Sequence, residues 1–203
     1  MLIMLISTVE PPSKRGRDLI SSQELIDVAA KAKHYEPEAL ARLFDLYFEK
    51  LRRYMYYKTG NLERAEDLAA EALTRGIENI GNFEDRGGTI GAWLFGIARN
   101  MLARELEAAG KADQVELDEQ LPAEREEQPE EQVLVKLTSE DLYEALGRLP
   151  DEQRDVVLLR FMEGYNVDTV AGIMNKRPGA VRAMQFRAVR TLKEMFERSG
   201  VER

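Results

Sequence analysis

Residues 167–190 read VDTVAGIMNKRPGAVRAMQFRAVR, and this stretch decides the fold. Its first part predicts a short helix over 167–174, which the side chain of Asn166 can cap. After a polar turn, Pro178 opens a longer helix that reaches about Arg198, because proline is tolerated in the first turn of a helix. A short helix, a tight turn and a longer basic helix form a helix-turn-helix, whose second helix fits the major groove of DNA.

The longer helix has one apolar face and one basic face. The residues predicted to face inward recur at helical spacing and are Val181, Met184, Ala188 and Leu192. The residues predicted to face outward are Arg182, Phe186 and Arg190 in line, with Ala183 and Arg187 beside them. Arginine suits bidentate contact with guanine or phosphate, although a basic solvated helix in a bundle would show the same charges. The turn and the capped helix before it favour DNA binding over that alternative.

Two more helices are predicted just upstream of this motif. Thr138 and Asp141 resemble a capping pair at the start of the first. Pro150 turns the chain, and residues 151–163 form the second, which Gly164 stops. These four helices make up one helical block.

An earlier helical block covers about residues 36–106. Apolar residues at steps of three and four predict an amphipathic helix over 37–57, and Asn61 is the expected cap of the next helix. That next helix ends at Gly81-Asn82. Its apolar stripe includes small residues that allow close helix approach, and it consists of Ala65, Leu68, Ala69, Ala72, Leu73, Gly76, Ile77 and Ile80. Its opposite face carries Asp67, Glu71, Thr74 and Glu78.

A loop and a third helix complete the earlier block. The loop covers 82–89 and has a flexible point at Gly87-Gly88. The third helix runs from about Ile90 to Ala108. Its shared face carries Trp93, Leu94, Ile97, Met101 and Leu102.

The net charge of −8 hides an uneven distribution of charged residues. Residues 105–135 hold eleven acidic residues against two basic ones, whereas 176–198 hold seven basic residues against two acidic ones. The segment 107–135 has few large apolar residues, so it cannot bury enough surface to offset the entropy of ordering. We therefore expect a flexible acidic linker over 107–135 and a flexible extension over 1–20.

Composition excludes several classes of protein. The chain has no cysteine, which excludes disulfides and cysteine-based zinc sites, and its single histidine, His34, argues against a histidine-rich metal site or a catalytic triad. No nucleotide-binding or metalloprotease motif is present, so we expect no enzyme activity and no cofactor. The apolar start is only six residues long, and no run of about 20 apolar residues occurs, so we expect a cytoplasmic protein without a membrane span.

Four stretches resemble one family in the order in which that family has them. Residues 149–164 (LPDEQRDVVLLRFMEG) and 178–190 (PGAVRAMQFRAVR) resemble the start and the recognition helix of region 4 of the extracytoplasmic-function (ECF) sigma factors, which belong to the sigma-70 family. Residues 65–75 (AEDLAAEALTR) are similar to the polymerase-docking helix of region 2, and 92–100 (AWLFGIARN) resemble the promoter-melting helix after it.

The resemblance implies an all-α protein of two small helical domains. Region 2 would cover 21–106, and region 4, with its helix-turn-helix, would cover 136–198. The implied partners are core RNA polymerase, promoter DNA and an anti-sigma factor that covers the docking surfaces. The implied function is transcription initiation, through recognition of the minus-10 and minus-35 promoter elements and melting of the DNA.

The resemblance also implies roles for individual side chains. Docking on the clamp helices of the largest polymerase subunit is implied for Asp67, Glu71, Thr74 and Glu78. Contact with the minus-10 element is implied for Asn82, Phe83, Arg86, Trp93, Arg99 and Asn100, although a core position explains Trp93 as well. Contact with the minus-35 element is implied for Arg177, Arg182, Ala183, Phe186, Arg187 and Arg190.

One stretch departs from the family pattern. Arg104 stands where an aspartate is usual, and the basic run that normally follows Asn100 is nearly absent. Since phosphate contacts supply much of the affinity for DNA, we expect this domain alone to bind the minus-10 region weakly. Two other functions stay open: a stand-alone helix-turn-helix regulator, and a degenerate sigma factor that acts only as an interaction protein.

Overall fold

The computed structural model describes residues 21–84, 89–108 and 139–198. Within these ranges the regular secondary structure consists of helices alone, and the helices form two compact units. The first unit contains α1 Ser22–Ala32, α2 Pro37–Thr59, α3 Leu62–Glu78 and α4 Ile90–Ala108. The second contains α5 Ser139–Gly147, α6 Asp151–Val157, most of α7 Val167–Met174 and α8 Pro178–Arg198. The predicted all-α architecture of two helical domains is confirmed. The predicted extension 1–20 and all of the predicted linker after residue 108 lie outside the described residues.

Local capping sets the helix boundaries of the first unit. The Ser21 hydroxyl oxygen accepts a hydrogen bond from the Glu24 backbone N–H at 3.1 Å and starts α1, which the periodicity did not predict. Asn61 Oδ1 accepts from the Arg64 N–H at 2.9 Å and starts α3, as predicted. Between these caps, Gly60 ends α2 at a left-handed φ of 71°, a conformation that glycine adopts without strain.

The helices of the first unit pack in chain order, α1 on α2, α2 on α3 and α3 on α4, and α2 also contacts α4. Tyr54 of α2 meets Phe95 of α4 edge to face, with ring centroids 5.5 Å apart. The apolar stripe of α3 is buried as predicted, except that Ile77 is only half-buried. This packing turns the opposite face of α3 toward solvent.

The close approach of α3 to α4 requires glycine at position 76. A Cβ there would lie 2.4 Å from Leu94 Cδ2, and Leu94 is itself only 2% exposed. We expect Gly76→Ala to lower the free energy of unfolding by about 1 kcal/mol or more. Overpacking a core costs about 1–3 kcal/mol, which exceeds the gain in helix propensity of at most about 1 kcal/mol.

Urea unfolding of Gly76→Ala and of a matched control, Gly96→Ala, checks this prediction. Gly96 also lies inside a helix, but a Cβ there would meet nothing within 4 Å among the described residues. Gly96→Ala should be neutral or stabilising. Equal stability of the two variants would show that α3 and α4 do not approach as closely as described.

The end of α3 corrects one boundary. The helix ends at Glu78 rather than at Gly81-Asn82, and a 3-10 turn, Ile80–Asn82, follows it. Asn79 Nδ2 donates to a carbonyl of the last helical turn at 2.8 Å, which ends the helix early. Ile80 is buried within the turn, so burial of this residue fixes the turn.

The second unit shows two predicted caps and one break. Asn166 Oδ1 accepts from the Thr169 N–H at 2.8 Å and starts α7, and Gly164 stops the chain before it at a φ of 76°. The helix predicted over 151–163 is instead α6 followed by a π-turn, Leu158–Met162. Thr138 of the predicted capping pair lies outside the described residues.

Arg154 holds the corner between α5 and α6. Its Nε donates to the Leu146 carbonyl at 2.8 Å, and its Nη2 donates to the carbonyls of Gly147 at 3.0 Å and Leu149 at 3.2 Å. Carbonyls at a helix C-terminus have no partner within the helix. One guanidinium therefore satisfies the end of α5 and fixes the turn that leads into α6.

Candidate nucleic-acid and protein interfaces

The outer face of α3 carries an acidic stripe, defined as Asp67, Glu71, Thr74 and Glu78. All four side chains are exposed, and their spacing of four, three and four residues places them in line along the helix. Glu71 pairs with Arg75 on the same helix at 2.6 Å. The Thr74 hydroxyl donates to the Ala70 carbonyl at 2.9 Å. The stripe lies opposite the buried face of α3, so its side chains take no part in the described core packing of the first unit.

An ion pair beside this stripe joins two helices of the first unit. Arg64 Nη2 lies 2.6 Å from Glu105 Oε1 of α4, and Arg64 Nε also donates to that oxygen at 2.9 Å. The hydrogen bond to Glu105 raises the pKa of Arg64 above its usual range. Glu105 lies in the stretch where the family has a basic run, and it ties the end of α4 to the start of α3. The departure from the family pattern can be recognised in the sequence, but the ion pair between Arg64 and Glu105 cannot.

The residues around the predicted minus-10 loop form an aromatic cluster. Phe83 is only 5% exposed, and its ring lies 5.5 Å from that of Trp93, which is half-buried. Lys33 Nζ lies 5.5 Å from the centroid of the Phe83 ring, a cation–π geometry. Phe83 is therefore packed inside the first unit, and DNA contact by its ring would require it to leave this packing. Asn82 is exposed beside it, and Arg86 lies outside the described residues.

Two further predicted minus-10 residues lie on α4. Arg99 is half-buried, and Asn100 is exposed. Arg104, at the departure from the family pattern, is exposed and makes no hydrogen bond or ion pair with any other described residue. These polar residues of α4 thus lie in the same unit as the aromatic cluster.

The exposed side of α8 carries a basic face, defined as Arg182, Ala183, Phe186, Arg187 and Arg190. The four inward residues predicted from the spacing are all buried. Phe186 is 60% exposed, and Arg182 and Arg190 are exposed on either side of it. Arg182 makes no hydrogen bond or ion pair within the described ranges. It is therefore available to a partner at no cost in lost contacts.

The other arginines of this region are less available. Arg187 Nε lies 3.4 Å from the Ala183 carbonyl, so this half-buried side chain lies back along its own helix. Arg190 pairs with Glu194 at 3.5 Å. Arg177 is exposed in the turn before α8. Next to it, Lys176 Nζ contacts Glu152 Oε1 of α6 at 2.8 Å and anchors that turn.

Within the described residues, no group of three or more His, Cys, Asp or Glu side chains is placed to hold a metal ion. No helix there has the length and hydropathy needed to cross a membrane.

Comparison with known proteins identifies the family. Residues 43–112 match the family model for sigma-70 region 2, and 139–192 match the model for sigma-70 region 4. The ECF RNA polymerase sigma factor BldN of Streptomyces coelicolor is 38% identical over 176 residues, which cover 86% of this chain and 67% of BldN. The ECF RNA polymerase sigma factor SigD of Mycobacterium tuberculosis is 29% identical over 187 residues, covering 89% of this chain and 88% of SigD.

A solved structure agrees on the fold. The sigma factor RpoE of Bartonella quintana, in complex with the anti-sigma factor NepR, has a TM-score of 0.58 and 24% identity, covering 77% of this chain and 96% of RpoE. The chain belongs to the sigma-70 family of transcription initiation factors. Within that family it is an ECF RNA polymerase sigma factor, and the stand-alone helix-turn-helix regulator is not supported.

Proposed function

We propose that the acidic stripe docks this sigma factor on core RNA polymerase and that its two helical units recognise different promoter elements. The first unit docks on core RNA polymerase through the acidic stripe of α3 and engages the minus-10 element through its loop and α4. The second unit reads the minus-35 element through the basic face of α8. In each unit, one helix combines a buried apolar face with an exposed face on which one sign of charge dominates. This observation carries the proposal.

The acidic stripe suits a protein partner with basic side chains. Complementary charges across an interface steer association and fix its register. Glu71 already has a partner in Arg75, and Asp67 interacts electrostatically with Arg64, so Glu78 is the carboxylate that gives up no described contact on docking. We propose the same face as the surface that an anti-sigma factor would cover. The support is the family resemblance, together with the related RpoE structure, which contains the anti-sigma factor NepR.

The minus-10 contact is proposed for exposed polar residues placed on an aromatic support. Asn82 precedes Phe83, whose ring is held by Trp93 and Lys33. A base pulled from the stack needs a fixed pocket, and a loop anchored by a buried ring can supply one. Asn100 and Arg99 on α4 are the residues proposed to meet the strand. With Glu105 in place of a basic residue, this contact contributes little affinity unless polymerase is present.

The minus-35 contact is proposed for the start of α8. The N-terminal residues of a recognition helix reach the base edges, and Arg182 and Phe186 both lie in that part of α8. Exposed Phe186 can pack against a thymine methyl or the backbone, since a large exposed apolar side chain does nothing for the stability of its own unit. We propose a cytoplasmic protein without enzyme activity, because each assigned surface binds a macromolecule.

A gel-shift titration with and without core polymerase tests whether promoter binding by this protein depends on polymerase. Promoter fragments selected from genomic DNA should be retained by the complex with polymerase, and only weakly by the protein alone. Equal affinity with and without polymerase would contradict the proposal and support a self-sufficient DNA-binding protein.

The domain organisation makes a separate prediction. We expect limited proteolysis to cut first within 107–135 and to leave two stable fragments, because this segment has the composition of a flexible chain. Mass spectrometry of the early fragments locates the cut. Uniform resistance across 107–135 in the free protein would contradict the prediction.

A further inference from the structure

Arg160 joins the promoter-reading helix to the rest of the second unit. It lies in the π-turn that follows α6 and is half-buried. Its Nε donates to Oε1 of Gln185 on α8 at 3.0 Å, and its Nη1 donates to the backbone carbonyl of Tyr165. The Tyr165 N–H in turn donates to the Leu159 carbonyl at 3.1 Å. One planar guanidinium thus ties α8 to the loop that leads into α7.

Gln185 occupies the border of the basic face. It follows Arg182 by three residues, so the two are neighbours on the helix surface, and it directly precedes Phe186. Gln185 itself is half-buried rather than exposed. Restraint of this side chain therefore restrains the rotation of the part of α8 that carries the basic face.

A second anchor holds α8 near its start. Lys176 contacts Glu152 of α6 at 2.8 Å, two residues before the helix begins. Gln185 lies about two turns further along, roughly 10 Å from the first residue of α8 at a rise of about 1.5 Å per residue. These two polar contacts, at different heights along α8, add to the packing of its buried face and restrain the orientation of the helix.

We propose that Arg160 is a positioning residue for minus-35 recognition, which acts by holding Gln185 and thereby the orientation of the basic face. The proposal rests on the reading role given above to α8. A lysine cannot replace Arg160, since a single ammonium cannot reproduce the planar fork that reaches two acceptors in different directions. Arg160 touches no base in this account, and its effect on DNA passes through Gln185.

The test is transcription by full-length variants with core polymerase from a promoter library randomised in the minus-35 element. Arg160→Ala should reduce the discrimination between preferred and disfavoured minus-35 sequences by about threefold to tenfold, which lies in the lower part of the range for contacting residues that act together. Arg160→Lys should show a similar loss. Preferences in a second library randomised in the minus-10 element should not change. Wild-type discrimination in Arg160→Lys would overturn the proposal, because charge alone would then suffice.

A double-mutant comparison separates positioning from direct reading. Gln185→Ala should reduce discrimination, and Arg160→Ala/Gln185→Ala should lose no more than the stronger single variant. Full addition of the two losses would mean that the residues act independently, which contradicts the proposal.

Arg154→Ala is the matched control for a structural role. Arg154 is another arginine of this unit that donates to backbone carbonyls, but those carbonyls lie at the α5–α6 corner. It should lower the unfolding temperature and keep the minus-35 preferences. An equal loss of discrimination in Arg154→Ala would show that Arg160 acts only through the stability of the second unit, which would overturn the proposal. If Arg182→Ala loses discrimination and Arg160→Ala does not, the inference fails while the role of α8 stands; if neither does, both fail.

Discussion

Reversal of Asp67 and Glu71 to lysine in one variant should weaken binding to core RNA polymerase about a hundredfold while the protein stays folded. Both side chains are exposed on the acidic stripe. Lysines there would place like charges against a basic partner, which costs several kcal/mol at an interface. A hundredfold loss corresponds to about 2.7 kcal/mol. Surface plasmon resonance with immobilised core polymerase measures it directly.

The double reversal should cost the fold little. Glu71→Lys breaks an exposed ion pair with Arg75 and sets two like charges four residues apart. Exposed pairs of this kind contribute about 0.3–0.5 kcal/mol. Circular dichroism and thermal unfolding should therefore remain close to those of the parent protein.

The control is Asp45→Lys/Glu49→Lys on α2. These acidic residues are also exposed and four residues apart, and Glu49 also pairs with an arginine, Arg52, at 2.7 Å. The control carries the same change in net charge at a position off the acidic stripe. It should bind polymerase within about twofold of the parent. Equal losses in both variants would show that overall charge, and not the acidic stripe, determines docking.

Arg182→Ala should produce the largest loss at the minus-35 element. An arginine that reads a base contributes about 1–3 kcal/mol, and its removal relaxes preference at one position. Arg182 is exposed and makes no contact with other described residues that it would have to give up. Transcription from minus-35 variants with core polymerase should therefore fall by about 5- to 150-fold on the preferred sequence, with selectivity lost at a single base pair.

Arg187→Ala and Phe186→Ala sharpen this prediction. Arg187 lies back toward the Ala183 carbonyl, so its loss should weaken all sequences alike and flatten the salt dependence, as expected for a phosphate contact. Phe186→Ala should lower binding with little effect on stability, because Phe186 is 60% exposed. Arg148→Ala, just after α5, removes one exposed arginine of the same unit and serves as the charge control. If Arg182→Ala and Arg148→Ala behave alike on every promoter variant, α8 does not read the minus-35 element.

Local signals predicted much of the fold because capping is a short-range effect. Asn61 and Asn166 each accept the hydrogen bond expected of a cap, and Gly164 stops the chain in a left-handed conformation. The helix α1 had such a signal in Ser21 followed by Glu24, but it lies ahead of the first strong apolar stripe. Its packing on α2, a tertiary contact, is what completes the first unit.

The features that the sequence did not predict depend on long-range packing. Residues 155–159 are buried one after another, which removes the periodicity that would mark a face, and the π-turn begins among them. Phe83 is held by Trp93 and by Lys33, which lies 50 residues earlier in the chain. The contact between Arg160 and Gln185 likewise spans 25 residues. No local pattern reports such pairs.

The candidate surfaces were easier to predict than their internal contacts. A stripe opposite a complete apolar face must be exposed, so the positions of the acidic stripe and of the outward arginines followed from helical spacing alone. Which of those charges is already paired does not follow from spacing. Glu71 and Arg190 have partners on their own helices, whereas Arg182 has none among the described residues. The structure therefore shows which of these charged residues already have a partner, whereas the sequence only places them on the same helix face.

Reconstituted run-off transcription tests directly whether this protein directs core RNA polymerase to promoters. Core RNA polymerase freed of other sigma factors is combined with this protein on fragmented genomic DNA, and the 5′ ends of the transcripts are sequenced. We expect discrete start sites that require the protein, share spaced minus-35 and minus-10 elements, and disappear with Asp67→Lys/Glu71→Lys but not with Asp45→Lys/Glu49→Lys. Transcripts no more numerous than those of core polymerase alone, from a folded protein that still binds polymerase, would contradict it and leave only an interaction protein.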